Sequence, residues 1–285
     1  QAFKNFDFAQ LVQVRHGLEE RHTVLQNAPH LARPQALITP VFSWLEGLYF
    51  TIGLTIYGWF ASGKDTLPSS KWLSKAAVKK RIPRISDKIH SAVLYYDGQL
   101  DDARYCLAIA QTAAEAGAAV ANHLEITGFE KNASGQLTAA YAKDLQTGEE
   151  LLLRAKVFIN CTGPYADHIR QLANEAQSPR IRPSKGVHAI LPYEVLGGED
   201  ALLIPKTPDG RVVFAIPFQG KLMLGTTDTE YSELDKEPQL EATEIDFLLE
   251  TLNPYLDQKV SAKQVIAGFG GLRPLIASDP GKGTK

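Results

Sequence analysis

Several short segments carry side chains that could do chemistry. Gly268–Pro274 (GFGGLRP) sets one guanidinium, Arg273, behind flexible glycines in an otherwise apolar neighbourhood. An arginine cannot shed its charge by deprotonation, so it needs an anion. A bidentate carboxylate or phosphate guest and an internal salt bridge both satisfy that need. Ser184–His188 (SKGVH) brings a cation and an imidazole together at the entry to an apolar strand. Histidine is the usual proton carrier near neutral pH, although a histidine at a strand start also serves as a structural residue. Gly225–Thr229 (GTTDT) offers the hydroxyl of Thr226 and the carboxylate of Asp228 at one strand end, which suits either polar ligand recognition or an ordinary turn. Cys161, Thr162 and Gly163 follow an apolar run and precede a helix pattern. Small residues there let a backbone approach a phosphate or ribose, and the helix start offers free N–H groups. A plain strand-to-helix turn explains them too.

These segments need elements to position them. Phe6, Phe8, Leu11, Val12, Leu18 and Leu25 recur at helical spacing over residues 5–30. Residues 47–63 form an uncharged aromatic run after Glu46, interrupted by Gly53 and Gly58. A membrane-spanning helix needs about 20 apolar residues, so a buried or membrane-surface helix is expected. Lys75, Lys79, Lys80, Arg81 and Arg84 read as a solvated helix and loop. Ser91–Tyr96 predicts a strand, Asp97–Gly98 a turn, and Asp101 or Asp102 the cap of a helix that ends near Gly117. Ala118–Asn122 is expected to be a short buried strand.

A three-strand meander (124–131, 136–143, 150–153) follows, with turns at Asn132–Gly135 and Gln146–Gly148. Next come an apolar strand over 155–160 and a helix over 166–177. Strands are expected at 188–192, 201–205, 211–217 and 221–225, then a helix at 242–252. The fold class is α/β with α+β character: a partial dinucleotide-binding, Rossmann-like domain interrupted by a β-meander, plus a mixed-sheet domain. The expected boundaries are a mainly helical segment at 1–90, the later part of a cofactor domain at 91–178, and a substrate domain at 179–280.

The 285 residues carry 30 Lys+Arg against 32 Asp+Glu and are 44% hydrophobic, which describes an ordinary globular chain. A net charge of −2 without a basic run gives no electrostatic footprint for nucleic acid. Cys106 and Cys161 sit in apolar contexts and are expected to be small buried side chains, in a reducing compartment.

Taken in order, SAVLYYDGQLDDAR, the meander, VFINCTGPYAD, RPSKGVH, LLIPKTPDGRVVFAIPF, LGTTDTEY and GLRPL resemble the FAD-dependent glycerol-3-phosphate dehydrogenase family, within the D-amino-acid-oxidase-like flavoproteins. That resemblance implies oxidation of sn-glycerol 3-phosphate to dihydroxyacetone phosphate, with hydride passing from C2 to the flavin N5 and electrons going on to quinone or dioxygen. It implies that Arg273 holds the phosphate or the C2 oxygen, that Thr226 places a hydroxyl in the substrate pocket, and that His188 assists removal of the C2 hydroxyl proton. Cys161, Thr162 and Gly163 would line the FAD, and the backbone of Ile126 would read the adenine. It implies a cytoplasmic protein, with peripheral contact on the inner face of the plasma membrane compatible with the 47–63 run and the basic cluster.

The family's opening G-x-G-x-x-G, its early His and Arg segment and its closing G-G-K-x-T-T segment do not appear. The single Met223 and the Gln1 start agree with an internal piece of a longer protein, inactive by itself. An amino-acid or amine oxidase of the same class, with Arg273 on a carboxylate, and a non-catalytic folded fragment are the alternatives.

Overall fold

The computed structural model describes residues 8–60, 67–205, 207 and 210–277. The chain divides into two compact units, one made of Gln1–Ile109, His188–Thr227 and Leu240–Phe269, the other of Ala110–Val187, Asp228–Gln239 and Gly270–Lys285.

The first unit is built on a mixed sheet. Strands β1 (Ala32–Val41), β2 (Lys71–Ser74) and β3 (Ser91–Leu100) join β8 (Ala201–Ile204), β9 (Val213–Phe218), β10 (Lys221–Gly225) and residues 188–192 of β7 (Ile181–Pro192). Their order is β2–β3–β1–β8–β9–β10–β7. Antiparallel pairing dominates, and β1 runs parallel to β8 through Leu37↔Ala201 and Ile38↔Leu202. In β9, Val213, Ala215 and Pro217 are buried while Phe214, Ile216 and Phe218 are half-buried. This period-2 pattern gives the sheet two unequal faces.

The buried face packs Ile38, Leu191, Leu202, Leu222 and Leu224 against Val78 of α3 (Lys75–Arg81) and Leu248 and Leu252 of α6 (Ala242–Leu252). Each of these side chains contributes roughly 1.5–3 kcal/mol by leaving water. The reciprocal capping box of Glu241 and Glu244 starts α6. The second face carries Leu37, Tyr95 and Ala201, with Leu203, Phe214 and Ile216 packed beside them.

Helices α1 (Phe8–Asn27), α2 (Trp44–Phe60) and α4 (Asp102–Glu115) complete the main elements of this part of the chain. The α2 helix is entered through Ser43, whose hydroxyl accepts from Glu46 N at 3.3 Å, while the Glu46 carboxylate accepts from Phe42 N at 3.0 Å. Ser43 thus caps the helix, and the one carboxylate of this apolar stretch lies in its first turn. No helix among the described residues is long and apolar enough to cross a membrane.

In the second unit, β4 (Leu124–Lys131), β5 (Leu137–Asp144) and β6 (Glu150–Arg154) form the expected meander, in that order. Helix α5 (Ala166–Ala173) is tied to the start of β7 by Asp167, whose carboxylate accepts from Arg180 N and Ile181 N at 2.6 Å each. Within this unit β11 (Thr229–Glu230) pairs with β7 through Thr229↔Lys185 and Glu230↔Ser184, and β12 (Ala267–Ile276) also pairs with β7.

Several expectations need correction. The mainly helical segment at 1–90 contains β1, a ten-residue strand pairing along its whole length with β3. Prolines at 34 and 40 mask it in the sequence. Asp97–Gly98 is not a turn: β3 continues through it, Gly98 opposite Pro34 and Asp97 opposite Gln35, with Arg21 Nη1 donating to Asp97 at 2.9 Å. Residues 91–109 accordingly group with the first unit rather than with the meander.

Residues 118–122 and 155–160 are not in a ladder, and Val120, Val157 and Ile159 are exposed. An apolar strand of this kind is stable only between neighbours, and no described strand pairs with either. Cys106 and Cys161 are exposed rather than buried, Cys161 directly following the uncovered 155–160 stretch. The basic cluster is largely neutralised: Lys75 and Lys79 meet Asp87, Arg81 meets Asp200 and Arg84 meets Asp257.

Candidate functional site

The second face of the sheet in the first unit carries a cavity of about 580 Å³ lined by Leu37, Phe214, Ile216, Met223 and Phe269, with Asp97, Asp101 and Asp102 at its polar side. His188 belongs to this unit. Its ring stacks on Phe269 with centroids 4.9 Å apart and planes 17° apart. It stands opposite Gly225 in the β7–β10 ladder. A Cβ at Gly225 would lie 2.9 Å from His188 Cγ and Nε2, inside contact distance. A glycine below and an aromatic ring above fix the imidazole plane, which suits a group that must meet a proton in one orientation.

Thr226 follows β10 directly. Its hydroxyl donates to Thr227 O at 3.2 Å. Thr227 is buried and donates to Glu244 at 3.4 Å, which anchors this loop on α6.

Arg273 lies in the second unit, on β12. Its guanidinium crosses Gly186, where a Cβ would fall 2.6 Å from Arg273 Cζ and Nη1. The Asp228 carboxylate stands 4.0 Å from Arg273 Nη1 and accepts a hydrogen bond from the buried Ser184 hydroxyl. At 4.0 Å the two form a long ion pair, beyond hydrogen-bond range. Lys185, on the opposite face of β7 from Ser184 and Gly186 by strand alternation, is buried; its ammonium donates to Gln239 O at 3.3 Å and lies 6.0 Å from the Tyr231 ring centroid.

In the same unit Asn160 shapes the 160–166 loop. Its carboxamide oxygen accepts from Thr162 N at 3.2 Å and Thr162 Oγ1 at 2.8 Å, and its amide donates to Ala166 O at 2.9 Å. Gly163 has φ +56°, a left-handed conformation that glycine adopts without strain, and a Cβ there would meet nothing within 4 Å. Cys161 and Thr162 are exposed. Small exposed side chains around an open glycine fit close approach by a cofactor. Ile126 lies on β4, an edge strand of the meander, opposite Ala142 and next to a bulge.

Gly186 and Gly225 are positions of close side-chain approach that residue type alone does not reveal. The available signal was a glycine inside a strand pattern, which marks close approach of another group. Phe269 was legible only as part of a glycine-rich run.

The FAD dependent oxidoreductase family model matches residues 6–283. The chain is 38% identical to the mitochondrial glycerol-3-phosphate dehydrogenase SDP6 of Arabidopsis thaliana over 99% of its own length and 45% of that protein's. It is 38% identical to the human mitochondrial glycerol-3-phosphate dehydrogenase over 98% of its length and 39% of that protein's. The chain thus spans less than half the length of these relatives. Its fold superposes with a TM-score of 0.76 on the glycerol-3-phosphate dehydrogenase of Bacillus halodurans complexed with FAD, at 27% identity over 93% of this chain and 49% of that one. The L-alpha-glycerophosphate oxidase of Mycoplasma pneumoniae shares the fold at 16% identity and a TM-score of 0.73, covering 94% of this chain and 69% of that one. With the match running nearly end to end, the chain belongs to the FAD dependent oxidoreductase family.

Proposed function

We propose that the protein containing this chain oxidises sn-glycerol 3-phosphate to dihydroxyacetone phosphate. The observation that carries this is Arg273 laid across Gly186, in a chain 38% identical to glycerol-3-phosphate dehydrogenases. A planar guanidinium presents parallel N–H groups that match a phosphate bidentately. Arg273 holds the phosphate, or the C2 oxygen where negative charge develops. Thr226 accepts from a substrate hydroxyl, and His188 takes the C2 hydroxyl proton. Cys161, Thr162 and Gly163 would hold the FAD, and the Ile126 backbone would read the adenine. When bound, the flavin supplies the acceptor for the C2 hydride.

The electron acceptor is a quinone or dioxygen, and oxygen uptake against reduction of a soluble quinone separates the two. We place the protein in the cytoplasm with a peripheral contact on the inner face of the plasma membrane. Supporting that contact, Trp44, Leu45, Leu48, Tyr49 and Ile52 of α2 and the neighbouring Trp72 are exposed. The paired basic cluster weakens a purely electrostatic contact.

The test is turnover by the full-length, flavin-loaded protein with an artificial acceptor. Oxidation of sn-glycerol 3-phosphate but not its enantiomer is expected. Oxidation of amino acids instead would overturn the assignment.

A further inference from the structure

We propose that Glu244, the first-turn carboxylate of the α6 capping box, is a positioning residue for Thr226 and acts on it through Thr227. The inference rests on the proposed reading of Thr226 as a hydroxyl that meets the substrate. All three residues belong to the first unit.

Two hydrogen bonds form the relay. The Thr226 hydroxyl donates to Thr227 O at 3.2 Å, which sets the direction of that hydroxyl. The Thr227 hydroxyl donates to Glu244 Oε1 at 3.4 Å, a long bond between two buried groups, Thr227 being 3% and Glu244 8% exposed. Little water reaches either group to replace a lost partner, so the bond counts for more than it would at the surface. The other carboxylate oxygen, Glu244 Oε2, accepts from Glu241 N at 3.0 Å. One carboxylate therefore spans the loop after β10 and the start of α6, one oxygen to each.

The helix gives that carboxylate a fixed seat. Leu248, Leu249 and Leu252 bury α6 in the core, and the positive end of the helix dipole favours an acid in its first turn. Just before the helix, Leu240 packs on Gly268, where a Cβ would fall 2.7 Å from Leu240 Cβ. The start of α6 is thus braced beside Phe269, the ring that stacks on His188. The capping box itself needs only Glu241 and Glu244. Valine would fill the space of Thr227, so what the hydroxyl adds is the link from the helix to the Thr226 loop.

The experiment uses the full-length flavin-loaded protein and the variants Thr227→Val, Thr227→Ser, Glu244→Ala, Thr226→Val and Thr226→Val/Thr227→Val, with KM and kcat for sn-glycerol 3-phosphate and flavin content. Thr227→Val is expected to raise KM about fivefold, the worth of one hydrogen bond, with kcat and flavin content unchanged. Thr227→Ser, which keeps the hydroxyl, should hold KM within about twofold of native. Thr226→Val should raise KM at least as much as Thr227→Val. Adding Thr227→Val to it should change KM by less than about twofold, because the relay has then lost the group it positions. A threonine that only supports the fold would carry its full effect into the Thr226→Val background. Glu244→Ala removes the acceptor and leaves both threonines, and it should raise KM as Thr227→Val does. Where Thr227→Val does not accumulate as folded protein, Glu244→Ala takes its place, alone and combined with Thr226→Val.

The inference is overturned if KM in Thr227→Val stays within about twofold of native, if Thr227→Ser is as impaired as Thr227→Val, if flavin and kcat are lost together, or if the effects of Thr226→Val and Thr227→Val multiply. If Thr226→Val leaves KM unchanged, the assignment of Thr226 falls, and this inference with it. If Thr226→Val raises KM while Thr227→Val is silent, only the relay is wrong.

Discussion

Arg273 and Gly186 are mutually exclusive with any larger side chain on the strand: a Cβ at position 186 would sit 2.6 Å from the guanidinium carbon. Gly186 has no left-handed φ, so its backbone would accept alanine, and the nearest atoms a Cβ would meet are those of the arginine. Gly186→Ala is therefore expected to fold, with a stability change within about 1 kcal/mol, yet to push the guanidinium aside. KM for an anionic substrate should rise tenfold to about a hundredfold, the cost of misplacing a binding group by about an ångström. Steady-state kinetics of the flavin-loaded protein reads this directly. An unchanged KM would separate Arg273 from substrate binding.

The equivalent relationship in the other unit is that of His188 and Gly225. Here the glycine is buried in the sheet, and the imidazole is confined between it and Phe269. Gly225→Ala has no room to relax and should cost about 1–3 kcal/mol. Phe269→Ala, at a half-exposed position, should cost less stability while releasing the ring. Thermal melts should rank Gly225→Ala well below Phe269→Ala. Turnover should fall in both, because His188 loses its orientation.

Arg273→Lys should not rescue function. Lysine keeps the charge but lacks the planar fork, and its ammonium cannot reproduce two parallel donors. Its KM for sn-glycerol 3-phosphate is expected to lie nearer to that of Arg273→Ala than to the native value. A native-like KM in Arg273→Lys would reduce the role of Arg273 to that of a point charge.

Asp167 sets a pH dependence of stability. Burial opposes its ionisation, but the N–H groups of Ile181 and Arg180 and the Arg170 guanidinium, bonded at 2.5 Å, outweigh that and hold its carboxyl below the usual range. A carboxyl depressed in the folded state contributes stability that is complete above its unfolded value of about 3.9 and is lost as the pH falls through the folded value. The melting temperature should drop on acidification below about pH 4. Asp167→Asn should lower stability at neutral pH by about 1–2 kcal/mol and flatten that acid limb. A limb of unchanged slope would assign the acid transition to other carboxyls.

Membrane contact through α2 predicts that Trp44→Ser with Leu48→Ser lowers binding to vesicles at least tenfold, since each removes roughly 1.5–3 kcal/mol of apolar burial. Co-flotation with vesicles of mixed anionic lipid measures it. Equal flotation of native and variant would remove α2 from that role.

Much of the fold was legible because local signals agreed with tertiary structure. The α6 helix occupies 242–252 as its apolar spacing and first-turn acid predict, and the meander follows its Asn–Gly and Thr–Gly turns. Signals failed where long-range pairing decided the outcome. Asp97–Gly98 has turn chemistry, but a ladder to Gln35 and Pro34 and an ion pair to Arg21 hold it extended. The 155–160 run has the composition of a buried strand, yet no described strand pairs with it, so Val157 and Ile159 face solvent. Arg273, His188 and Thr226 could be picked out by chemistry and motif order. The close approaches of Arg273 to Gly186 and of His188 to Gly225 could not, because they depend on which strands lie beside β7.

The central claim is that Arg273 serves the oxidation of a phosphorylated alcohol at a flavin. Anaerobic titration of the full-length flavin-loaded protein with sn-glycerol 3-phosphate, following the flavin absorbance, tests it most directly. The native protein should bleach with this enantiomer alone, and Arg273→Ala should need about a hundredfold more substrate. Bleaching by amino acids but not by sn-glycerol 3-phosphate, or equal titration curves for native protein and Arg273→Ala, would contradict it.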